Sequence, residues 1–272
     1  MKEGGAANNL QHFSGTADVY DVYRPRPPAV IPEMLVQVAN VAQPDLVVDL
    51  GCGTGHSTYI WSERARQVIG IEPNEDMRAL AQQRQSVLAD VANVTFREGV
   101  ASDTALDDGT AEVVTCAQSL HWMEPESTFQ EIARILRPGG IFAAYDYHWP
   151  PVMRWDLATE FEKLLEKATK VEEGLESVQS LQQWAKAGHL ERMKSSGLFR
   201  FVTECHVHQK EVVHTEQLIG LALSSGPVRT AIKHGLPEAQ IGLDAFRAKV
   251  EETVGNESVL CLFSYVVRIG IK

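Results

Sequence analysis

Leu46-Val47-Val48-Asp49-Leu50-Gly51-Cys52-Gly53-Thr54-Gly55 is the most informative stretch of the chain. Its apolar, β-branched first half has the composition of a strand buried on both faces. Three glycines on alternate positions then stop it. Glycine lets the backbone turn sharply and lets a ligand approach bare main chain. The run His56 to Arg64 has helical character, so its first N–H groups would point into the loop and favour an anionic group there. Strand, glycine turn and helix start together describe a nucleotide-type site.

A second apolar strand, Gln67 to Ile71, ends at Glu72. An acidic residue about 20 positions after such glycines can accept hydrogen bonds from both hydroxyls of a ribose. A dinucleotide fingerprint would place its third glycine where this chain has His56. The spacing from Asp49 to Gly55 is instead D-x-G-x-G-x-G. That pattern resembles motif I of the class I S-adenosylmethionine (SAM) methyltransferases. The resemblance implies that Asp49, Gly51, Cys52, Gly53 and Gly55 build the methionine pocket and that Glu72 holds the ribose. It also implies that Pro73, Asn74 and Met77 flank the adenine together with Ala101 and Ser102.

Further phrases extend the likeness in order along residues 46–147. Residues 98–114 align without gaps on the family's loop after the third strand, departing from it at Val100, Ser102, Thr104-Ala105 and Glu112. The missing acid leaves Ser102, Asp103 or backbone carbonyls to meet the adenine amino group. Val113 to Ala117 reads as the fourth strand, delivering Gln118-Ser119-Leu120-His121-Trp122. In open α/β sheets ligands bind beyond the carboxyl ends of the strands, so Gln118 and His121 are expected to face the transferable methyl. Arg137-Pro138-Gly139-Gly140 then turns into a strand from Ile141 to Tyr147. The N-terminal phrase Y-x-x-Y-R-P-x-x-P (20–28) resembles a small-molecule group that includes trans-aconitate methyltransferase-like enzymes. It either packs on the core as an arm or lies over the cofactor with Tyr20, Tyr23 or Arg24 touching the substrate or the SAM carboxylate.

The expected fold is α/β: a doubly wound, mostly parallel, seven-stranded Rossmann-like sheet with a terminal antiparallel hairpin and a helical cap. Residues 1–150 form the arm and SAM-binding core, 151–196 a helical cap insertion and 215–255 a second one. Strands in 197–214 and 256–272 complete the sheet. Helices are expected over 29–42, 74–89, 125–136, 156–170, 175–190, 215–224 and 237–254.

Composition narrows the partners. Lys+Arg 25 against Asp+Glu 36 gives a net charge of −11. Such a surface repels phosphate backbones and anionic lipid, which argues against nucleic-acid and membrane partners. The four cysteines are widely spaced with no C-x-x-C pair, as in a reduced, cytoplasmic protein. No apolar run approaches the roughly 18 residues of a membrane span, and the N-terminus carries no export signal. His206, His208 and His214 lack a completing carboxylate or cysteine at ligand spacing, so no metal is expected.

Methyl transfer from a sulfonium demands orientation and exclusion of water more than acid–base chemistry. A base is needed only where the acceptor must lose a proton. His121 is the candidate for that base or for orienting the acceptor, beside the alternative of a loop histidine. Trp122, Tyr145, Tyr147 and His148 are expected to line the substrate pocket, subject to strand register. The expected activity is therefore methylation of a small molecule, O-methylation of a hydroxyl or carboxylate foremost, in an enzyme of open oligomeric state. The rival readings are a non-catalytic SAM-binding protein and an NAD-dependent dehydrogenase.

Overall fold

The computed structural model describes residues 22–88, 91–175, 178 and 181–272. Tyr20 and the expected helix end at Ala89 lie outside these, as does part of the expected helix 175–190. The described residues pack as two units, one made of 26–88, 91–147, 182–207 and 265–272, the other of 22–25, 148–175, 178, 181 and 208–264. Residues 182–196, which sequence placed with the first helical insertion, pack with the sheet, and the last residues of the arm pack with the helices.

The sheet unit begins with α1 (Val30–Val38), which buries Ile31 and Leu35. The strands are β1 (Leu46–Leu50), β2 (Gln67–Ile71), β3 (Val94–Arg97), β4 (Ala111–Ala117), β5 (Leu136–Tyr147), β6 (Phe201–His214) and β7 (Ser258–Ile271). Their order is β3-β2-β1-β4-β5-β7-β6. Pairing is parallel from β3 through β5 and antiparallel between β5 and β7. Arg200 donates its N–H to Ile271, and His208 Nδ1 lies 3.0 Å from Ser264 Oγ, so β6 runs antiparallel to β7. β6 and β7 each continue from one unit into the other. The expected seven-stranded sheet with its terminal hairpin is the one observed.

Apolar alternation and continuous apolar runs account for the burial. Val47, Val48 and Leu50 of β1 and Val113, Val114 and Cys116 of β4 are fully enclosed. On one face α4 (Pro125–Ile135) presents Phe129, Ile132 and Ile135 to Phe142 and Phe199. The Phe142 and Phe199 rings stack at 5.8 Å while Phe129 meets Phe199 edge-on at 6.1 Å. Such aromatic pairs add about 0.5–1.5 kcal/mol beyond burial. Burying the apolar stripe of α4 fixes it below β4 and β5.

Several elements are shorter than sequence suggests. The expected helix 56–64 is a single turn, α2 (His56–Tyr59), followed by further turns, so little of a helix dipole faces the glycine loop. The expected helix 175–190 gives way to irregular backbone over 181–185, a 3₁₀ turn at Lys186–Gly188 and α6 (His189–Ser195). Arg137 to Gly140 is a bulge inside β5, because Leu136 pairs with Ala111 whereas Ile141 already pairs with Val113. Gly139 adopts φ +80 there.

The helical unit contains α5 (Trp155–Glu173), α7 (Thr215–Leu223), α8 (Gly226–Lys233), α9 (Glu238–Ile241) and α10 (Leu243–Thr253). Leu157, Phe161, Leu164 and Ala168 recur at helical spacing on α5 and are buried. Phe161 packs on Phe246 at 5.0 Å. Sequence read 237–254 as one helix. Gly242, at φ +80, splits it, because a left-handed residue cannot continue a right-handed helix.

Candidate active site

Strand order reverses between β2-β1 and β4-β5, so the loops leaving β1 and β4 diverge and open a crevice at their carboxyl ends. The loop after β1 carries Gly51 (φ +62), Gly53 (φ +55) and Gly55 (φ +84), all left-handed. Their surroundings differ. A Cβ on Gly51 would stand 2.8 Å from Met123 Cε and Ser119 Cβ, and one on Gly55 would stand 3.0 Å from Phe96 and Tyr59. A Cβ on Gly53 would meet nothing within 4 Å. Gly51 and Gly55 are therefore glycines for packing as well as conformation, while Gly53 fronts open space.

Beneath the loop, Asp49 is completely buried. Thr58 Oγ1 donates to Oδ2 at 2.8 Å and Thr115 Oγ1 to Oδ1 at 2.7 Å, with Ser57 Oγ 3.5 Å from Oδ1. Burial pushes its carboxyl up to about 6, against these hydroxyls, and the nearby Glu72 adds to the rise. Register places Asp49 opposite both Gly70 of β2 and Thr115 of β4. The three hydroxyls were not singled out in the sequence. Thr115, a polar residue inside an apolar strand, carried a signal, whereas Ser57 and Thr58 become significant only once the loop folds back.

Glu72 is also buried. It receives the Gly53 N–H at 2.8 Å on Oε2 and the Asn74 N–H at 2.9 Å on Oε1. Burial raises its carboxyl above the ordinary range, opposed by those two N–H groups and by Arg78. Each oxygen keeps a second lone pair. Asn74 caps α3 (Glu75–Gln85) by accepting the Met77 N–H at 3.0 Å, as its position before an acidic first turn suggested. Met77 is buried, and Pro73 links the pair to β2.

The other residues singled out by sequence fall as follows. Cys52 is buried, and burial raises its thiol well above the ordinary value, so it is unreactive as a nucleophile. All four cysteines are free. The Ala101 methyl belongs to the hydrophobic core while Ser102 is exposed. The departures nearby have structural work. Thr104 binds Glu131 through its N–H at 2.8 Å, and Glu112 accepts the Leu46 N–H at 2.8 Å and pairs with Arg137 at 3.0 Å. His56 lies 3.2 Å from Arg84, which also donates to the Thr54 carbonyl.

Gln118 leaves β4 in a left-handed conformation, φ +55, and its Oε1 accepts from Lys186 Nζ at 2.6 Å. His121 and Trp122 occupy a 3₁₀ turn (Leu120–Trp122) with their rings 5.1 Å apart, and the His121 carbonyl accepts the Trp184 N–H at 2.9 Å. Tyr145 does not line an open space: it is enclosed, its hydroxyl bonded to Ser57. Tyr147 is buried edge-on against Tyr265 at 5.5 Å. His148 is exposed in the helical unit, its N–H bonded to Ser264. There too, Tyr23 seats its ring on Gly220 and donates to Glu216 at 3.2 Å, while Arg24 donates to the Ser224 carbonyl at 2.8 Å and lies over Trp149. Among the described residues no three His, Cys, Asp or Glu side chains are grouped to hold a metal, and no helix is long and apolar enough to cross a membrane.

A sheet ordered 3-2-1-4-5-7-6 with a glycine crevice at its switch point is the fold of the class I methyltransferases. Comparison with known proteins agrees. Residues 48–144 match the family described as a methyltransferase domain. An uncharacterised methyltransferase of Mycobacterium tuberculosis is 34% identical over 133 residues, covering 47% of this chain and 49% of the relative. A Saccharomyces cerevisiae protein described as a probable SAM-dependent methyltransferase is 30% identical over 105 residues, 38% of this chain and 36% of its own. The chain thus spans half or less of the length of these relatives. Among solved structures, a protein of Anaeromyxobacter dehalogenans assigned provisionally as a type II methyltransferase superposes with a TM-score of 0.68. It is 20% identical, over 92% of this chain and 98% of that one. The YcgJ protein of Bacillus subtilis gives 0.54 at 16% identity over 89% and 97%.

Proposed function

We propose that this chain is an enzyme that binds SAM in the crevice after β1 and transfers its methyl group to a small-molecule acceptor, with a hydroxyl or carboxylate oxygen as the favoured target. The observation that carries the reading is Gly53. Its backbone is left-handed, it fronts open space, and its N–H is anchored by the buried carboxylate of Glu72. A ligand can therefore approach the main chain closely on one side of a loop that is held rigidly on the other. When bound, SAM would supply the sulfonium leaving group for an in-line displacement.

The chain's own groups then have these roles. The bare main chain of Gly51 to Gly55 receives the methionine moiety, and Asp49, with its three hydroxyl partners, holds that loop on β1 and β4. Glu72 accepts the ribose hydroxyls on its remaining lone pairs, while Met77, Ala101 and Ser102 border the adenine. Gln118 and His121 stand at the carboxyl end of β4, where the methyl would emerge. His121 serves as base or hydrogen-bond partner for a hydroxyl acceptor; a carboxylate acceptor needs no base. The chain's charge of −11 favours a small acceptor over a polyanion. His56, at the third glycine position of a dinucleotide site, disfavours NAD.

Calorimetry with S-adenosylhomocysteine (SAH) and NAD tests the reading. SAH should bind and NAD should not. Glu72→Ala should weaken SAH by about 1–3 kcal/mol, because ribose hydroxyls lose their charged acceptor; Glu72→Gln, which can still accept one N–H, checks that folding is intact. Unchanged affinity in both variants removes the ribose role. Labelled methyl transfer to hydroxyl- and carboxyl-bearing small molecules tests turnover, and tight SAH binding without transfer to any acceptor would favour the non-catalytic reading.

A further inference from the structure

The carboxyl ends of β4 and β5 carry a charged cluster that the sequence did not reveal. Lys186, on the 3₁₀ turn, donates to Gln118 Oε1 at 2.6 Å and pairs with Asp146 Oδ1 at 2.9 Å. Asp146 is buried and also pairs with Arg268 at 3.0 Å, whose Nε faces Glu204 at 3.0 Å. Burial alone would raise the Asp146 carboxyl, but Lys186, His121 and Arg268 outweigh it and hold it below the ordinary range. Arg192 adds a third cation, 2.9 Å from His189 Nδ1. His189 contributes no charge near neutral pH, since burial presses it down to about 4. Within the cluster Lys186 and Arg268 pair with Asp146 and Glu204, and Arg192 stands beside His189.

The hydrogen-bonding valences leave donors unspent. Lysine only donates, so the Gln118 amide must turn its oxygen to Lys186 and its nitrogen away. That nitrogen is buried and has no hydrogen-bond partner among the described residues. Lys186 has three N–H groups, two of them engaged, and its side chain is 38% exposed where those of Asp146 and Arg268 are 8% and 7%. Gln118 holds a left-handed backbone that glycine would adopt more easily, a strain that tends to accompany a functional constraint. Two donors, one of them on a cation, match the paired oxygens of a carboxylate.

We propose that Lys186 and Gln118 form a carboxylate-binding pair, receiving the amino-acid carboxylate of the cofactor or that of an acceptor. The pair rests on the methyltransferase reading of the crevice. Asp146, Arg268 and Glu204 are positioning residues that hold the ammonium in place.

The test compares wild type, Lys186→Met and Gln118→Glu by calorimetry with SAH, with 5′-methylthioadenosine, which lacks the amino-acid portion, and with malonate added to SAH-saturated protein. If the pair holds the cofactor carboxylate, both variants should weaken SAH about tenfold or more and leave 5′-methylthioadenosine unchanged. If it holds an acceptor carboxylate, SAH should be unchanged and malonate binding lost in both. Gln118→Glu keeps an acceptor for Lys186 while placing a negative charge where the ligand would sit, so it decides the matter should Lys186→Met fold poorly. SAH and malonate binding unmoved by both variants would overturn the pair alone. Wild type that fails to bind SAH would overturn the methyltransferase reading and the pair with it.

Discussion

Asp49 should make this protein less stable as pH rises from about 4 to 6, the reverse of the usual behaviour of a paired carboxylate. Its carboxyl is enclosed with three hydroxyl neighbours, and burial lifts it from 3.8 to about 6. The native state then holds a proton to higher pH than the unfolded chain does. Stability is highest below the unfolded value, falls as pH climbs through the folded one, and stays reduced above it. A difference of about two pH units corresponds to about 3 kcal/mol in total, of which about 1.3 kcal/mol falls between pH 5 and pH 7. Asp49→Asn removes the titration while keeping one acceptor oxygen for Thr58 or Thr115. Urea unfolding of both proteins at pH 5, 6 and 7 isolates the group together with its coupling to Glu72, since carboxylates away from it, such as Glu131, held down at about 2 chiefly by Arg134, contribute equally to each. The stability of the variant relative to wild type should rise by about 1 kcal/mol from pH 5 to pH 7, whatever its absolute value. Parallel profiles would show that burial does not govern this carboxyl.

The glycines of the loop should separate by function. Gly53→Ala should cost about 1–2 kcal/mol in backbone strain yet weaken SAH more than tenfold, because its methyl enters open space on the ligand side. Gly51→Ala should cost about 2–4 kcal/mol, since the new methyl strikes Ser119 and Met123. Thermal unfolding giving equal losses for the two would contradict that division. In the helical unit, Gly220→Ala gains about 1 kcal/mol of helix propensity but drives a methyl into the Tyr23 ring. Hydrogen exchange should quicken at residues 22–24, and unchanged protection there would argue against the seating of Tyr23 on α7.

Sequence reading succeeded where one element determines its own environment. The apolar run ending in D-x-G-x-G-x-G read correctly as a buried strand stopped by a sharp glycine turn, whose left-handed angles few residues besides glycine tolerate. Ser258 to Ile271 read correctly as the final strand from alternation alone. It failed where packing chose between locally similar options. The run 56–64 makes one helical turn, and 181–185 is irregular backbone whose Trp184 N–H is spent on the His121 carbonyl. Tyr145 and Tyr147 share a strand face, but only the fold buries Tyr145 under Ser57.

Along residues 46–147 the sequence by itself marked the buried strands and the glycine turn, since backbone angles and apolar runs are properties of short segments, and the resemblance to class I methyltransferases supplied the sheet and the crevice at its switch point. Tertiary structure alone decided which charges share one environment. Lys186 meets Gln118 and Asp146 across separations of 68 and 40 residues, and Arg268 reaches Asp146 from 122 residues away. A lone lysine in an unpatterned segment carries no local signal of its partners, because Coulombic pairing depends on distance in space and not along the chain.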